Sequence, residues 1–263
     1  MGKKGKIIAV SNLKGGVGKT MTAASLGFGL ARQGKKALCV DLDPQHSLTV
    51  SFGVAEPNKL TASVATVLNA LINDDEYDTT TELIRHAEGV DLLPANSTLA
   101  GMELALVQII GRETILRQYL DNARADYDYI ILDCSPSMDL LTVNALAAAD
   151  SVIIPVTPKF LDAKGMELLL RSIAQLRRQI NPSLIIEGIL LTMADKRSVH
   201  SREVISLVEN AYGGNIKIFG EHIPRSVRAA ECSAQGVSIF ARDPNGKVAA
   251  AYQSLVGEVL ANA

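Results

Sequence analysis

Residues 11–20 read SNLKGGVGKT. Gly15, Gly16 and Gly18 stand directly ahead of Lys19 and Thr20, the composition of a loop that turns its backbone N–H groups inward around a phosphate. In such a loop Lys19 sets a cation against β- and γ-phosphate charge, and the Thr20 hydroxyl is a Mg²⁺ ligand. The pattern G-x-x-x-x-G-K-[ST] asks for glycine at position 13, where this chain has Leu13. It has instead gained a second lysine, Lys14, five residues before Lys19. The loop pattern gives Lys19 a task and leaves Lys14 without one.

Two acidic segments belong with the loop. ALCVDLDPQ puts Asp41 and Asp43 at the end of an apolar run, and YDYIILDCSPS does the same for Asp133. Ligands of an open parallel sheet bind beyond the carboxyl ends of its strands, so all three acids can converge on the glycine loop. Asp133 suits a Mg²⁺ site reached through water, because Mg²⁺ keeps much of its hydration. Asp43, on a mobile loop ahead of Pro44, is placed to orient or polarise an attacking water. Any one of these acids alone would read as a solvated strand-end residue; the lysine–glycine loop changes that reading.

The elements that must position these groups are visible as apolar, β-branched runs alternating with helix-period segments. The strand candidates are 6–12, 36–42, 90–95, 127–135, 151–157, 184–193 and 216–224. Several are apolar throughout, as expected of strands covered on both faces. Helices are expected near 20–33, 61–73, 98–124, 138–149, 162–180, 200–212 and 246–262. The alternation predicts an α/β fold, a doubly wound and mostly parallel sheet flanked by helices, of the P-loop NTPase type. No repeat or low-complexity linker divides it, and NDDEYDTTTE (73–82) reads as an exposed loop, so residues 1–263 form one domain.

Composition narrows the rest. The chain has 263 residues, a net charge of −2, and an apolar fraction large enough for a well-buried core. That balance provides no long-range attraction for nucleic acid, so DNA binding would require a local basic patch. Cys39, Cys134 and Cys232 are odd in number and lack metal or redox spacing, the usage of a reducing cytoplasm. The apolar run of MGKKGKIIAV stops at Ser11 and is no signal peptide, and Lys6 breaks the pattern that would make Gly2 a myristoylation site. No apolar run is long enough to span a bilayer.

KGGVGKT, DLDPQ, YDYIILDCSPS, LLTMAD and IPRSVRAAEC together resemble the ParA/Soj family of chromosome- and plasmid-partitioning ATPases, in order and spacing from Lys6 to the final helix. That family lies in the deviant Walker A group with MinD, the nitrogenase iron protein and arsenical-pump ATPases. The resemblance implies a Mg²⁺-dependent ATPase, weak until a partner stimulates it, with ATP, ADP and Mg²⁺ as its ligands. It supplies a task for Lys14: reaching across an ATP-sandwich homodimer to the phosphates of the other subunit, as an arginine finger does in trans. By the same resemblance the nucleotide lies on Lys14, Gly15, Gly16, Val17, Gly18, Lys19, Thr20 and Met21. Catalysis falls to Lys14, Lys19 and Asp43, and Mg²⁺ to Thr20 and Asp133. Pro224 matches the segment lining the adenine, and Asp195 lies near the position closing that pocket. Arg197, Arg225 and Arg228, with Lys196 beside them, match the non-specific DNA surface of the Soj branch. A ParB-like centromere-binding protein is the implied partner, and the implied location is the cytoplasm, on the nucleoid.

Three residues depart from the family pattern: Met21 for a threonine, His46 for a glycine after DPQ, and Asp139 for a glycine in SPSMDLLTVNAL. Other readings remain. A membrane-cycling ATPase like MinD needs basic residues on a C-terminal amphipathic helix, and no Lys or Arg follows Lys247, so no stable membrane association is expected. An iron–sulfur protein needs two cysteines on the nucleotide face. A positioning ATPase for a cargo other than DNA would use the same residues.

Overall fold

The structure is a computed structural model describing residues 5–262 except 79, 81 and 196, with the backbone alone for 160–164. Gly2 and Lys196, singled out above, lie outside the described residues. Among the described residues are seven strands: β1 (Lys6–Val10), β2 (Ala37–Leu42), β3 (Ile84–Arg85), β4 (Val90–Leu93), β5 (Tyr129–Cys134), β6 (Ser151–Val156) and β7 (Ile185–Leu191). They form one sheet in the order β3-β4-β2-β5-β1-β6-β7. Every pairing is parallel except the short β3 against β4. The expected doubly wound α/β sheet is therefore present.

Helices α1 (Lys19–Arg32), α2 (Ser47–Ser51), α3 (Val64–Asn73), α4 (Leu99–Val107), α5 (Ile115–Ala123) and α6 (Leu140–Ala148) follow the first strands. Helices α7 (Phe160–Gln179), α8 (Val199–Tyr212), α9 (Val227–Gln235), α10 (Ile239–Arg242) and α11 (Lys247–Ala261) complete the chain. The two-residue period of β1 assigns the layers. Ile7 and Ala9 enter a core with α3 through α8, whereas Ile8 and Val10 enter one with α1, α2 and α9 through α11. On the second face α1 lies unusually close to the sheet and to α11. A Cβ at Gly27 would fall 2.4 Å from the Cys39 sulfur, and one at Gly29 would fall 2.5 Å from Val256.

Three differences from the sequence reading have physical causes. The helix expected over 98–124 is two helices, α4 and α5, because Gly111 takes a left-handed φ of 73° between them. The strand expected over 216–224 runs beside β7 but pairs only at Ile218 and Pro224. Its ladder bonds stop at Phe219 N–H to Ile189 and resume at Ile223 N–H to Leu191, with Gly220 in the interrupted stretch. Helix α9 had no apolar period to announce it; it is started by Ser226, whose side chain accepts the Ala229 N–H.

Candidate functional site

Neighbouring strands bring the predicted groups together at one edge of the sheet. Asp133 of β5 stands in register with Val10 of β1 on one side and Asp41 of β2 on the other. The residues following β1 thus leave the sheet beside both carboxylates. Asn12, fully buried, ties that loop to β6: its amide donates to the Pro155 carbonyl at 2.7 Å and its Oδ1 accepts the Lys14 N–H at 3.0 Å.

Gly16 and Gly18 adopt left-handed φ values of 71° and 85°, and among the described residues nothing lies within 4 Å of the Cβ positions at Gly15 and Gly16. The loop ends on the N-terminus of α1, which has no side-chain cap and no acidic residue in its first turn. An uncapped helix start behind a glycine loop is an anion site by its own dipole and free N–H groups. Val17 is buried, and its carbonyl accepts the Thr192 hydroxyl at 2.7 Å, so the loop is anchored from the β7 side as well.

The two lysines point to different places. Lys19 is buried, and its ammonium folds back to the Lys14 carbonyl at 3.1 Å. Burial pulls its pKa down, opposed by the charges of Asp133, Cys134 and Asp43. Lys14 is exposed at the lip of the loop, its stem against Gly165 of α7. Thr20 is half-exposed in the first turn of α1. Met21 packs its partly buried side chain against the core that holds α9 and α10.

The three acids are not equivalent. Asp41 is fully engaged, accepting the Thr49 hydroxyl at 2.7 Å, the Thr49 N–H at 2.8 Å and the Asp43 N–H at 3.2 Å. Burial nevertheless pushes its pKa up to about 6. Its bonds pin α2 to the sheet, a structural use that the spacing of DLDPQ did not announce. Asp43 sits at the head of a tight turn, its Oδ1 accepting the Gln45 N–H at 2.9 Å and its carbonyl the His46 N–H at 2.8 Å. Asp133 is wholly buried, and among the described residues neither of its oxygens has a hydrogen bond of normal geometry. Burial and the Asp41 charge raise its pKa well above the ordinary value, while the nearby Thr20 hydroxyl and Lys19 pull it down. A buried carboxylate with no hydrogen bond of normal geometry among the described residues, beside a threonine hydroxyl, fits a hard divalent cation.

Beside the loop lies a cavity of about 980 Å³. Asp195 and Pro224 both line it, as do Met193, Arg197, Arg225 and Lys247. Ala194 bridges Pro224, and Met193, itself left-handed at a φ of 51°, approaches within 3.9 Å of the Gly18 Cβ position, so cavity and phosphate loop adjoin. Lys247 was not anticipated, because only the folding of α11 against the 216–224 segment brings it there. Arg197 and Arg225, expected on a DNA surface, thus also face this cavity. Arg228 is largely exposed on α9 and pairs with Asp243 at 2.9 Å.

The departing residues have local reasons. His46 occupies a left-handed position with a φ of 46°, where glycine is the unstrained choice. Asp139 caps α6, accepting the Thr142 N–H at 2.8 Å and the Ser135 hydroxyl at 2.5 Å, with Ser137 as a third donor. Its charge, after burial, holds Glu103 above the ordinary carboxylate range. All three cysteines are buried and unpaired.

A glycine loop between a central parallel strand and a helix, facing strand-end carboxylates, defines a P-loop NTPase, and residues 5–186 match the AAA domain family model. The sporulation initiation inhibitor protein Soj of Bacillus subtilis is 40% identical over 258 residues, 98% of this chain and 99% of that protein. The chromosome partitioning protein ParA of Myxococcus xanthus is 39% identical over 97% of this chain and 88% of its own length. A solved structure of cobyrinic acid a,c-diamide synthase from Mycobacterium smegmatis, with ADP and magnesium, superposes at a TM-score of 0.84. It is 38% identical, with 97% of this chain and 94% of that one covered. The chain belongs to the ParA/Soj family of partitioning ATPases.

Proposed function

We propose that this protein is an ATP-dependent partitioning switch whose ATP-bound homodimer holds DNA without sequence preference. A ParB-like partner would stimulate hydrolysis and release, so that a chromosome or plasmid is segregated. The observation that carries this reading is the division between the two lysines. Lys19 turns inward over the loop, whereas Lys14 stands exposed at its lip, free to serve a pocket other than its own. Two facing triphosphate sites repel each other, and a lysine lent by each subunit reverses that repulsion, which makes association depend on ATP.

Within the pocket, Gly15, Gly16, Val17 and Gly18 offer main-chain donors, with Thr20 and Met21 continuing them into α1. Lys19 neutralises phosphate charge. Thr20 and Asp133 would hold Mg²⁺, which supplies charge neutralisation at the phosphates. Asp43 is placed to orient water, and Asp195 and Pro224 to border the base. Arg197, Arg225 and Arg228 are the proposed DNA contacts, doubled on dimerisation, so DNA affinity should rise with ATP and fall steeply with salt.

The test is mass measurement by light scattering with ATP, with ADP and without nucleotide. Wild type should double in mass only with ATP, and Lys14→Ala should bind ATP yet stay single. A Lys14→Ala protein that doubles with ATP refutes the trans-lysine reading. Retention of DNA at two salt concentrations then tests the DNA step.

A further inference from the structure

The stem of Lys14 does not lie free along the loop. Its Cε, Cγ and Cδ come within 3.1, 3.5 and 3.9 Å of the position a Cβ would take at Gly165, in the second turn of α7. Three methylenes of one side chain therefore run along the single place on that turn where the helix presents bare backbone. The main chain of Lys14 is held independently, through its N–H on Asn12 and its carbonyl on Lys19. With the backbone anchored, the seat on α7 decides where the stem runs and where the ammonium emerges. Lysine stems lie in this way on apolar surface and deliver the charge beyond it.

Glycine inside a 20-residue helix is otherwise a disadvantage, because it gives up more backbone freedom than alanine on folding. Nothing in the backbone of Gly165 requires it, since its φ is not among the positive values. The close approach of Lys14 is what uses it. We propose that Gly165 is a positioning residue for Lys14: the absence of a Cβ creates the groove that aims the ammonium away from its own subunit and toward the triphosphate of a second copy of this chain. This rests on the trans-lysine reading above and adds the element that makes the lysine effective.

The experiment compares wild type, Gly165→Ala, Gly165→Val and Lys14→Ala. Among the described residues the nearest atoms to a Cβ at 165 belong to the flexible stem of Lys14, and alanine is the better helix former, so the fold and the melting temperature should hold or improve. ATP affinity of the single subunit should be unchanged, because Lys19 and the loop are untouched. The Lys14 stem must yield by a few tenths of an ångström to an alanine Cβ, and the ATP-dependent dimer should dissociate measurably more readily in Gly165→Ala, by about threefold or more. Gly165→Val should be weaker still. In lysine-labelled protein the Cε signal of Lys14, assigned by its loss in Lys14→Arg, should move in Gly165→Ala while the other lysine signals stay. Wild-type dimerisation by Gly165→Ala, or an unmoved Lys14 signal, would overturn the assignment. The two levels separate cleanly. Should Lys14→Ala dimerise with ATP, the trans-lysine reading falls and this inference with it; should Lys14→Ala stay single while both Gly165 variants dimerise normally, only the positioning role falls.

Discussion

Asp133→Asn should make the protein more stable without ligand and less responsive to Mg²⁺ with ATP. The wild-type carboxylate is fully buried, finds no hydrogen bond of normal geometry for either oxygen among the described residues, and faces Asp41 in the adjacent strand. A buried polar group left unsatisfied costs about 1–3 kcal/mol, and more when it is charged. An isosteric amide removes the charge and its repulsion with Asp41, so a gain of about 2 kcal/mol is expected. For a chain of this size that is roughly 4–8 °C in melting temperature. The sign with pH follows from the raised pKa. The folded state holds the proton more tightly than the unfolded one, so wild-type stability falls as pH rises from the ordinary carboxylate value through the folded value. The advantage of Asn therefore grows as pH rises through the folded-state value and fades toward pH 4. Asp41, raised to about 6, adds a wild-type loss of the same sign between about pH 4 and 6. Calorimetry of both proteins in EDTA across this range, repeated with ATP and Mg²⁺, reads all of it. A variant that melts below wild type at pH 8 in EDTA, or one whose advantage is equal at both ends, refutes the reasoning.

Asp43→Ala should bind ATP and dimerise but turn over at least about 100-fold more slowly, measured as phosphate release, since a group positioning water is worth that much. Normal phosphate release would remove it from the chemistry. Arg228→Ala should keep ATP-dependent mass doubling and lose DNA retention at low salt, and it is the cleaner variant because Arg197 and Arg225 also line the 980 Å³ cavity beside the loop. Retention equal to wild type would clear Arg228. His46→Gly should stabilise by about 1 kcal/mol in a melting experiment, because a left-handed position is strained for a side chain, and a lower melting temperature would show that His46 is held by something more than its backbone.

Much of this molecule was legible from local pattern. A strand, a glycine loop and a helix in unbroken succession define the phosphate site, because the backbone there does the binding and its chemistry is written in consecutive residues. The all-apolar runs ending in Asp41 and Asp133 placed those acids at strand ends, since a parallel sheet buries both faces of its central strands. Other features depended on what packs against what. Asp41 and Asp133 come from similar motifs, yet Thr49 satisfies one, while among the described residues the other has no hydrogen bond of normal geometry; the fold of α2 back onto β2 separates them. Lys247 and Arg225 meet at the cavity beside the loop from elements with no shared pattern. Gly165 reads as an ordinary helix residue until Lys14, some 150 positions earlier in the chain, is seen lying on it. Periodicity and motif spacing record what neighbours along the chain must do together. Which distant side chain fills the space beside a given backbone atom is a property of packing, and it was decided only when the layers closed.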